Sequence, residues 1–191
     1  WGCNNLAFKY KNGNGLKKDM KQAANLFEKA CLAGNGPSCN QAGRLYERGN
    51  GLTKDQRRAV YFYEKGCRQE NWDSCLNLGV MCAQGRGVKR DHERAVNLFE
   101  KACEAGNPMS CGNLGVMYGK GWGVKIDHGR AAELYEQACT AGEMIHCGNL
   151  GMKVLRGEGV PRDLARAKEL LRKGCDDGHT LHCDELKKIG K

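Results

Sequence analysis

The chain repeats itself every 36 residues without an insertion. Cysteine makes this period visible, because a pair of cysteines eight residues apart returns in the same frame: Cys31 and Cys39, Cys67 and Cys75, Cys103 and Cys111, Cys139 and Cys147, and Cys175 and Cys183. A repeat of this length and regularity is typical of stacked supersecondary units, each in contact with its neighbours. The sequence therefore predicts a repeat protein before any single motif is considered.

The cysteine columns also set the expected limits of the repeats. We place them at about residues 3–38, 39–74, 75–110, 111–146 and 147–182, in a single repeat domain over 1–191 with a C-terminal capping remnant at 183–191. Cys3 occupies the second-cysteine column, and the position of its partner would precede residue 1. We therefore expect a truncated repeat on the N-terminal side of Cys3.

Each repeat is predicted to form two helices, named here helix A and helix B. After the second cysteine of one repeat, Leu78, Gly79 and Cys82 share one face of helix A. A glycine inside a helix is unfavourable, so its return in four repeats predicts a very close neighbouring helix. A Gly-x-Gly motif, free to adopt left-handed backbone angles, then ends helix A: Gly13 and Gly15, Gly49 and Gly51, Gly85 and Gly87, Gly121 and Gly123, and Gly157 and Gly159.

Helix B is expected to begin at an aspartate, whose carboxylate accepts hydrogen bonds from the N–H groups of the first turn. An apolar stripe of helical spacing follows, for example Ala95, Leu98, Phe99 and Ala102. The pattern predicts an all-α protein. The aspartate column holds Asp19, Asp55, Asp91, Asp127 and Asp163.

The paired cysteines are predicted to form disulfides. One lies in the last turn of helix B and the other in the first turn of the next helix A, and a short turn brings such ends within the ~4.4–6.8 Å Cα separation of a disulfide. Zinc is the alternative, because His146 and His182 each precede a cysteine. Structural zinc usually takes cysteines two to four residues apart and four converging ligands, and neither condition is met here. We expect no metal and no cofactor.

Cys3 and Cys82 remain as free thiols in this scheme. Cys82 falls where other repeats carry Tyr46 and Tyr118, so we expect a buried, inert thiol.

Charge and hydropathy exclude several classes of function. The 31 Lys and Arg residues against 22 Asp and Glu give a net charge of +9, but the basic residues are dispersed and lack an interleaved aromatic ladder. This favours a solvated surface over nucleic-acid binding. No apolar run approaches the ~18 residues of a membrane span.

The segment NLGVMYGKGWGVKIDHGRAAELYEQAC resembles the Sel1-like repeat family, relatives of the tetratricopeptide repeat, at Leu114, Gly115, Gly121, Gly123, Asp127, Ala131 and Tyr135. The cysteine pair with seven intervening residues resembles the Helicobacter cysteine-rich branch. The resemblance covers essentially the whole chain. It implies a right-handed α-solenoid and exported, disulfide-linked proteins, periplasmic or secreted, that hold peptides or protein partners. Related proteins of the mitochondrial intermembrane space make that compartment an alternative. Some members are described as weak penicillin binders or β-lactamases.

No set of residues forms a catalytic pattern. Ser38, Ser74 and Ser110 each precede a bridging cysteine, and none belongs to a Ser-x-x-Lys motif. His92 and His128 are expected to be solvent-exposed first-turn residues, and the pair of His179 and His182 is a weak metal signal. A penicillin-binding or weak β-lactamase activity is therefore the alternative function, resting on the resemblance alone.

The remaining face of helix A is the predicted partner surface. Counted from the second cysteine, positions +3, +4 and +7 pack inward, and +2, +5, +6 and +9 line the inner surface. Side-chain amides can pair with an extended backbone, methionine adapts to varied side chains, and basic residues attract an acidic segment or a carboxylate. The candidates are Gln41, Asn77, Asn113 and Asn149 at +2, Arg44 and Met152 at +5, Met81 and Met117 at +6, Arg48, Lys120 and Arg156 at +9, and Trp122 as an exposed anchor.

Two alternatives stay open for these residues. The asparagines can equally form an intramolecular ladder between helices, and Trp122 can equally fold onto an adjacent helix. The predicted function is an exported protein–protein interaction scaffold, for example an adaptor or an immunity-type protein, with its partner on the concave helix-A surface.

Overall fold

The computed structural model describes residues 2–50 and 52–190, so Trp1, Lys191 and Gly51 of the Gly-x-Gly column lie outside the described residues. Within these ranges the regular structure is entirely α-helical, which confirms the all-α prediction. A helices and B helices alternate along the chain. They are α1 (Gly2–Asn12), α2 (Met20–Leu32), α3 (Gly36–Arg48), α4 (Gln56–Arg68), α5 (Trp72–Gln84), α6 (His92–Glu104), α7 (Pro108–Lys120), α8 (His128–Thr140), α9 (Met144–Arg156), α10 (Leu164–Asp176) and α11 (Thr180–Ile189).

The helix ends form where the sequence predicts them. Asp55 caps α4, with its Oδ1 accepting a hydrogen bond from the backbone N–H of Arg58 at 2.9 Å. Four A helices end on a left-handed glycine with φ between 68° and 71°: Gly49, Gly85, Gly121 and Gly157. The remaining predicted caps accept in the same way as Asp55: Asp19, Asp91, Asp127 and Asp163.

The glycine inside helix A permits close contact with helix B. A Cβ added at Gly43 would lie 2.5 Å from Cε1 of Tyr63, and one at Gly115 would lie 2.9 Å from the Tyr135 ring. Real Cβ atoms do not approach so closely, so a methyl group would force the helices apart. The predicted reason for this glycine is confirmed.

The chain divides into two compact units, unit 1 (residues 1–98) and unit 2 (residues 99–191). The core of unit 1 includes the stacked rings of Tyr46 and Phe62, whose centroids lie 5.7 Å apart, with Arg58 over Tyr46. Cys82 is fully buried in the same unit, and burial raises the pKa of its thiol. The predicted inert thiol agrees with both observations.

The core of unit 2 is built from small and branched residues of α8, α9 and α10. Ala131, Leu150 and Val154 are at most 1% exposed, and Tyr135 covers one side of this cluster. In α4, α6 and α10 an arginine also pairs with a glutamate 30 positions earlier on the preceding B helix, as in Arg166 with Glu136 at 2.7 Å. Such exposed pairs contribute little each, about 0–1 kcal/mol.

Five disulfides close the junctions between consecutive repeats, with Cα–Cα distances of 4.6–4.7 Å. Every predicted pairing is confirmed: Cys31 with Cys39, Cys67 with Cys75, Cys103 with Cys111, Cys139 with Cys147, and Cys175 with Cys183. The predicted solenoid of disulfide-stapled, 36-residue helix pairs is confirmed with them. Cys3 is exposed and remains a free thiol, as predicted.

Within residues 2–50 and 52–190 no helix is both long and apolar enough to cross a bilayer. The same residues contain no group of three or more His, Cys, Asp and Glu side chains placed to hold a metal ion.

At the start of helix A in unit 2, the sizes of two residues in contact are complementary. His146 packs so closely on Gly112 that a Cβ at residue 112 would lie 2.0 Å from its Cδ2, and His182 fills the equivalent space over Gly148. Two repeats before Gly112 and His146, the same columns hold Asn40 and Ser74, both buried. In these two columns the larger Asn40 is therefore combined with the smaller Ser74, and the smaller Gly112 with the larger His146.

We expect this complementarity to appear as coupling between substitutions. Gly112→Asn should overpack the site and cost about 1–3 kcal/mol, and His146→Ser should leave a cavity of similar cost. The double variant recreates the pairing of Asn40 with Ser74, so its loss of unfolding free energy should be well below the sum of the two single losses. Urea unfolding of the four proteins measures this, and strictly additive losses would contradict it.

Candidate partner-binding site

The surface columns of helix A follow from its geometry. At about 100° per residue, positions +3, +4 and +7 form one stripe and positions +2, +5 and +9 lie on the opposite side. The first stripe is buried, as Leu114, Gly115 and Val154 illustrate. Position +2 is exposed or half-buried in α1, α3, α5, α7 and α9.

The prediction that Met81 and Met117 line the partner surface is wrong. Position +6 lies only about 60° from the buried position +3, so these side chains turn into the core and are 0% and 2% exposed. Met152, at position +5, is half-buried and reaches the surface.

A groove of about 580 Å³ lies in unit 2, lined by residues of α7, α8, α9 and α11. It brings together four predicted residues: Lys120, Asn149, Met152 and Arg156. Val116, Leu181 and the ring of Tyr135 give it apolar walls beside Met152. The groove therefore combines apolar contact with basic and amide groups.

The polar end of the groove is organised by Lys153. Its Nζ donates to Oε2 of Glu158 at 2.6 Å and to Nδ1 of His128 at 2.9 Å, and its side chain is 13% exposed. The hydrogen bond from Lys153 is the main cause that lowers the pKa of Glu158. Because Nδ1 of His128 accepts this hydrogen bond, the ring proton of the neutral imidazole is on Nε2. His128 is half-buried and bonded, so the expectation of a solvent-exposed histidine at this position is wrong.

Charge in the groove is biased towards cations. Lys120, Lys153 and Arg156 face two carboxylates, Glu158 and Glu185. Glu185 is paired with Lys188 at 2.6 Å. Lys120 has no carboxylate within ion-pair distance among the described residues. An additional carboxylate would therefore improve the charge balance of the groove.

Asn149 forms the link between the groove and a buried histidine pair. Its Nδ2 donates to Nδ1 of His146 at 3.3 Å, and its Oδ1 accepts from Nε2 of His182 at 3.3 Å. Both rings are 2% exposed, and His146 stacks on Tyr135 with centroids 5.8 Å apart. The amide of Asn149 thus holds the groove's wall in place, with one N–H and one oxygen lone pair engaged within the chain.

The other predicted residues fall outside the groove. Asn77 donates from Nδ2 to Oδ1 of Asn40 at 2.8 Å, which is an intramolecular bond of the kind the ladder alternative describes. Asn113 is half-buried, and Trp122 is 45% exposed. The predicted residues of α3, in unit 1, are Gln41, Arg44 and Arg48.

The three serines are fully buried and serve the fold. The hydroxyls of Ser74 and Ser110 donate to the side-chain oxygens of Asn71 and Asn107, at 2.7 and 2.8 Å. Ser38 donates to the side chain of Asn4 at 2.8 Å. A buried hydroxyl bonded to an amide oxygen is a poor nucleophile, because activation requires an adjacent base.

The profile of the Sel1 repeat matches residues 2–35, 36–71, 72–107, 108–143 and 147–179. The chain belongs to the Sel1 repeat family. Sel1 repeat proteins are in general scaffolds for protein–protein interaction.

Solved Sel1 repeat structures resemble this one over nearly its whole length. A Sel1 repeat protein from Oxalobacter formigenes has a TM-score of 0.92 at 25% identity, covering 99% of this chain and 75% of the other. A protective antigen of uropathogenic Escherichia coli with an SLR fold has a TM-score of 0.89 at 29% identity, covering 98% of this chain. This chain spans only 40% of the length of that antigen.

The cysteine-rich character also has a structural counterpart. Cysteine-rich protein B of Helicobacter pylori is 32% identical, with a TM-score of 0.52, over 59% of this chain and 87% of that protein. A search among curated proteins found no match.

The candidates named from the sequence did not include Lys153, although it stands in the +6 column predicted to line the inner surface, and they did not include Tyr135 or Leu181. Lys153 stands at +6, where α3, α5 and α7 carry buried apolar residues, and that departure is a usable signal. Tyr135 and Leu181 gave no such signal, because their contribution depends on the packing of α8 and α11 around α9.

Proposed function

We propose that this Sel1 repeat protein is an exported scaffold that binds a segment of a protein partner on the exposed side of its A helices, with the groove of unit 2 as a principal contact. The observation that carries the proposal is the groove itself, in which apolar walls adjoin unbalanced cations. Protein-binding sites combine a desolvated apolar centre with a polar rim in this way.

The groove suits a segment that is acidic or presents a carboxylate. Lys120 and Arg156 are exposed at the groove. The Arg156 guanidinium lies 3.8 Å from Glu158, whose other oxygen accepts from Lys153, and it can hold a further carboxylate through two parallel hydrogen bonds. Val116, Met152 and Leu181 would contact an apolar side chain next to that carboxylate.

The five disulfides support a periplasmic or secreted location, because disulfides persist in oxidising compartments. An adaptor and an immunity-type protein that neutralises an exported effector are two concrete forms of this role.

Charge reversal at the groove tests the proposal. A photo-crosslinking amino acid at Met152, in the full chain expressed in its native envelope, is expected to give a discrete adduct with a partner. Combining Lys120→Glu with Arg156→Glu should weaken that partner's binding at least tenfold, because two attractive charges become repulsive. The control, Lys125→Glu with Arg172→Glu, changes the net charge equally at exposed residues outside the groove and should leave binding within about threefold.

Two outcomes would overturn this function. A crosslinker at the exposed Glu133 giving the same adduct as Met152 would remove the groove from the contact. Nitrocefin hydrolysis by the purified chain, lost on substitution of a groove residue, would favour the penicillin-directed alternative.

A further inference from the structure

Unit 1 contains a concentration of positive charge without a paired carboxylate among the described residues, although Lys11 also lies 5.4 Å from the centroid of the Phe8 ring. Lys11 is in the last turn of α1, and Arg44 and Arg48 are one turn apart on α3. Lys11 Nζ donates to Oε1 of Gln41 at 2.8 Å. Among the described residues, none of the three cations has a carboxylate within 4.0 Å.

The three charges act on one another at close range. Burial, followed by the charges of Arg44 and Arg48, lowers the pKa of the Lys11 ammonium group. The same two arginines oppose the rise in the pKa of Tyr63 that burial and its hydrogen bond to Glu47 cause. The hydrogen bond from Lys11 to Gln41 places the ammonium group beside α3, on which Arg44 and Arg48 follow Gln41 by three and seven residues.

The one acidic residue between the arginines is already engaged. Glu47 accepts from the hydroxyl of Tyr63 at 2.6 Å and pairs with Arg86 at 2.8 Å. The next repeat does not share the cluster, since α5 carries Val80 and Gln84 where α3 carries the two arginines. The charge is thus particular to α1 and α3, and no carboxylate in the described part of the chain is paired with it.

From this geometry we propose that Lys11, Gln41, Arg44 and Arg48 bind an internal acidic stretch of the protein partner, separate from the contact made in unit 2. This inference rests on the proposed scaffold function and adds the chemistry that unit 1 recognises. With Gln41 Oε1 taken by Lys11, the groups left to a ligand are donors: an ammonium, two guanidinium forks and the Gln41 amide Nε2. Such a surface is complementary to side-chain carboxylates and backbone carbonyls.

The spacing of the cations selects an extended segment. Residues four apart on a helix have Cβ atoms about 5–6 Å apart, and alternate side chains of an extended chain lie about 7 Å apart on one side. A segment with acidic residues at alternate positions can therefore reach Arg44 and Arg48 together. Each guanidinium can hold its carboxylate through two hydrogen bonds.

Fluorescence anisotropy with a defined peptide tests this. The probe is a labelled octapeptide of alternating Glu and Gly, amidated at its C-terminus so that no terminal carboxylate is present. We expect salt-sensitive binding to the full chain, weakened at least tenfold when Arg44→Gln is combined with Arg48→Gln. The matched control, Arg57→Gln with Arg68→Gln, removes the same charge from exposed residues of α4 and should change affinity by less than threefold.

A second measurement separates binding from a structural role. If the cations serve a ligand, the unliganded double variant of Arg44 and Arg48 should melt no lower than the parent, because repulsion has been removed. NMR titration should also place the Lys11 pKa higher in the peptide complex than in the free chain. A lower melting temperature together with unchanged peptide affinity would assign the arginines to the fold and overturn the inference.

The remaining outcomes are equally decisive. If both double variants weaken peptide binding equally, the effect is due to net charge alone. If a peptide with Gln in place of Glu binds equally well, the carboxylates are not recognised. Either result would overturn the inference. Tighter binding of an eight-residue oligothymidylate at the same arginines would assign the cluster to nucleic acid. If the acidic peptide does not bind but the crosslinked adduct at Met152 still forms, the proposed scaffold function is retained and the binding of an acidic stretch in unit 1 is rejected.

Discussion

Full reduction of the five disulfides is expected to unfold the chain at 25 °C. Each bridge joins cysteines eight residues apart, and the loop-entropy relation values a loop of that size at ~2.5 kcal/mol. Five such bridges contribute roughly 12 kcal/mol together, comparable with the ~5–15 kcal/mol net stability of a typical domain. The A and B helices are too short to persist alone in water. Circular dichroism should show loss of the cooperative transition on reduction.

One bridge at a time gives the graded version of this experiment. Replacing both Cys139 and Cys147 by serine should lower the unfolding free energy by about 2–3 kcal/mol, and the loss should be concentrated in unit 2, where the pair lies. Thiol labelling of the unfolded, unreduced chain supplies the control, since only Cys3 and Cys82 should react. A reduced chain that keeps its native melting transition would show that packing alone suffices.

Local spacing was enough to predict most of this architecture. A cysteine pair eight residues apart, an aspartate before an apolar stripe and a glycine after helix A each act over a few residues. Their structural consequences can therefore be worked out from the sequence of one repeat. The burial of Met81 and Met117 also follows from helix geometry, because position +6 borders the buried stripe.

Features that depend on how neighbouring helices meet were not predictable in the same way. His146 fits over Gly112 because a residue 34 positions earlier lacks a side chain. Lys153 reaches His128 across the α8–α9 contact, 25 positions apart. His92 was expected to face solvent, but its Nε2 lies 3.2 Å from the carbonyl oxygen of Ala83. In each case the partner is set by how the helices meet, which the repeat period alone does not specify.

The histidine pair in unit 2 predicts a loss of stability in acid. Burial, and then the nearby charges of His179 and His182, lowers the pKa of His146 from 6.5 to about 4, and burial lowers that of His182 in the same direction. Between pH 6.5 and pH 4, His146 is protonated in the unfolded chain but neutral in the folded chain. The stability that this histidine contributes is therefore complete above pH 6.5 and falls as the pH drops towards 4.

The size of the effect follows from the lowered pKa. The difference between the folded and unfolded values at His146 corresponds to about 3 kcal/mol between pH 7 and pH 4, and His182 adds to the loss. The structure gives the reason: Nδ1 of His146 accepts from Asn149, and a protonated ring would present two donors instead. Tyr135 stacks on the ring of His146, the carboxylate of Asp177 is paired with His179 at 3.2 Å, and no Asp or Glu is among the buried residues of the described ranges.

Urea unfolding at a series of pH values, followed by a probe in unit 2, measures this loss. His146→Phe keeps a ring over Gly112 and against Tyr135 but cannot take a proton, so its stability should depend much less on pH. If NMR of the folded chain shows His146 titrating near pH 6.5, burial does not exclude the proton and the predicted acid sensitivity is wrong.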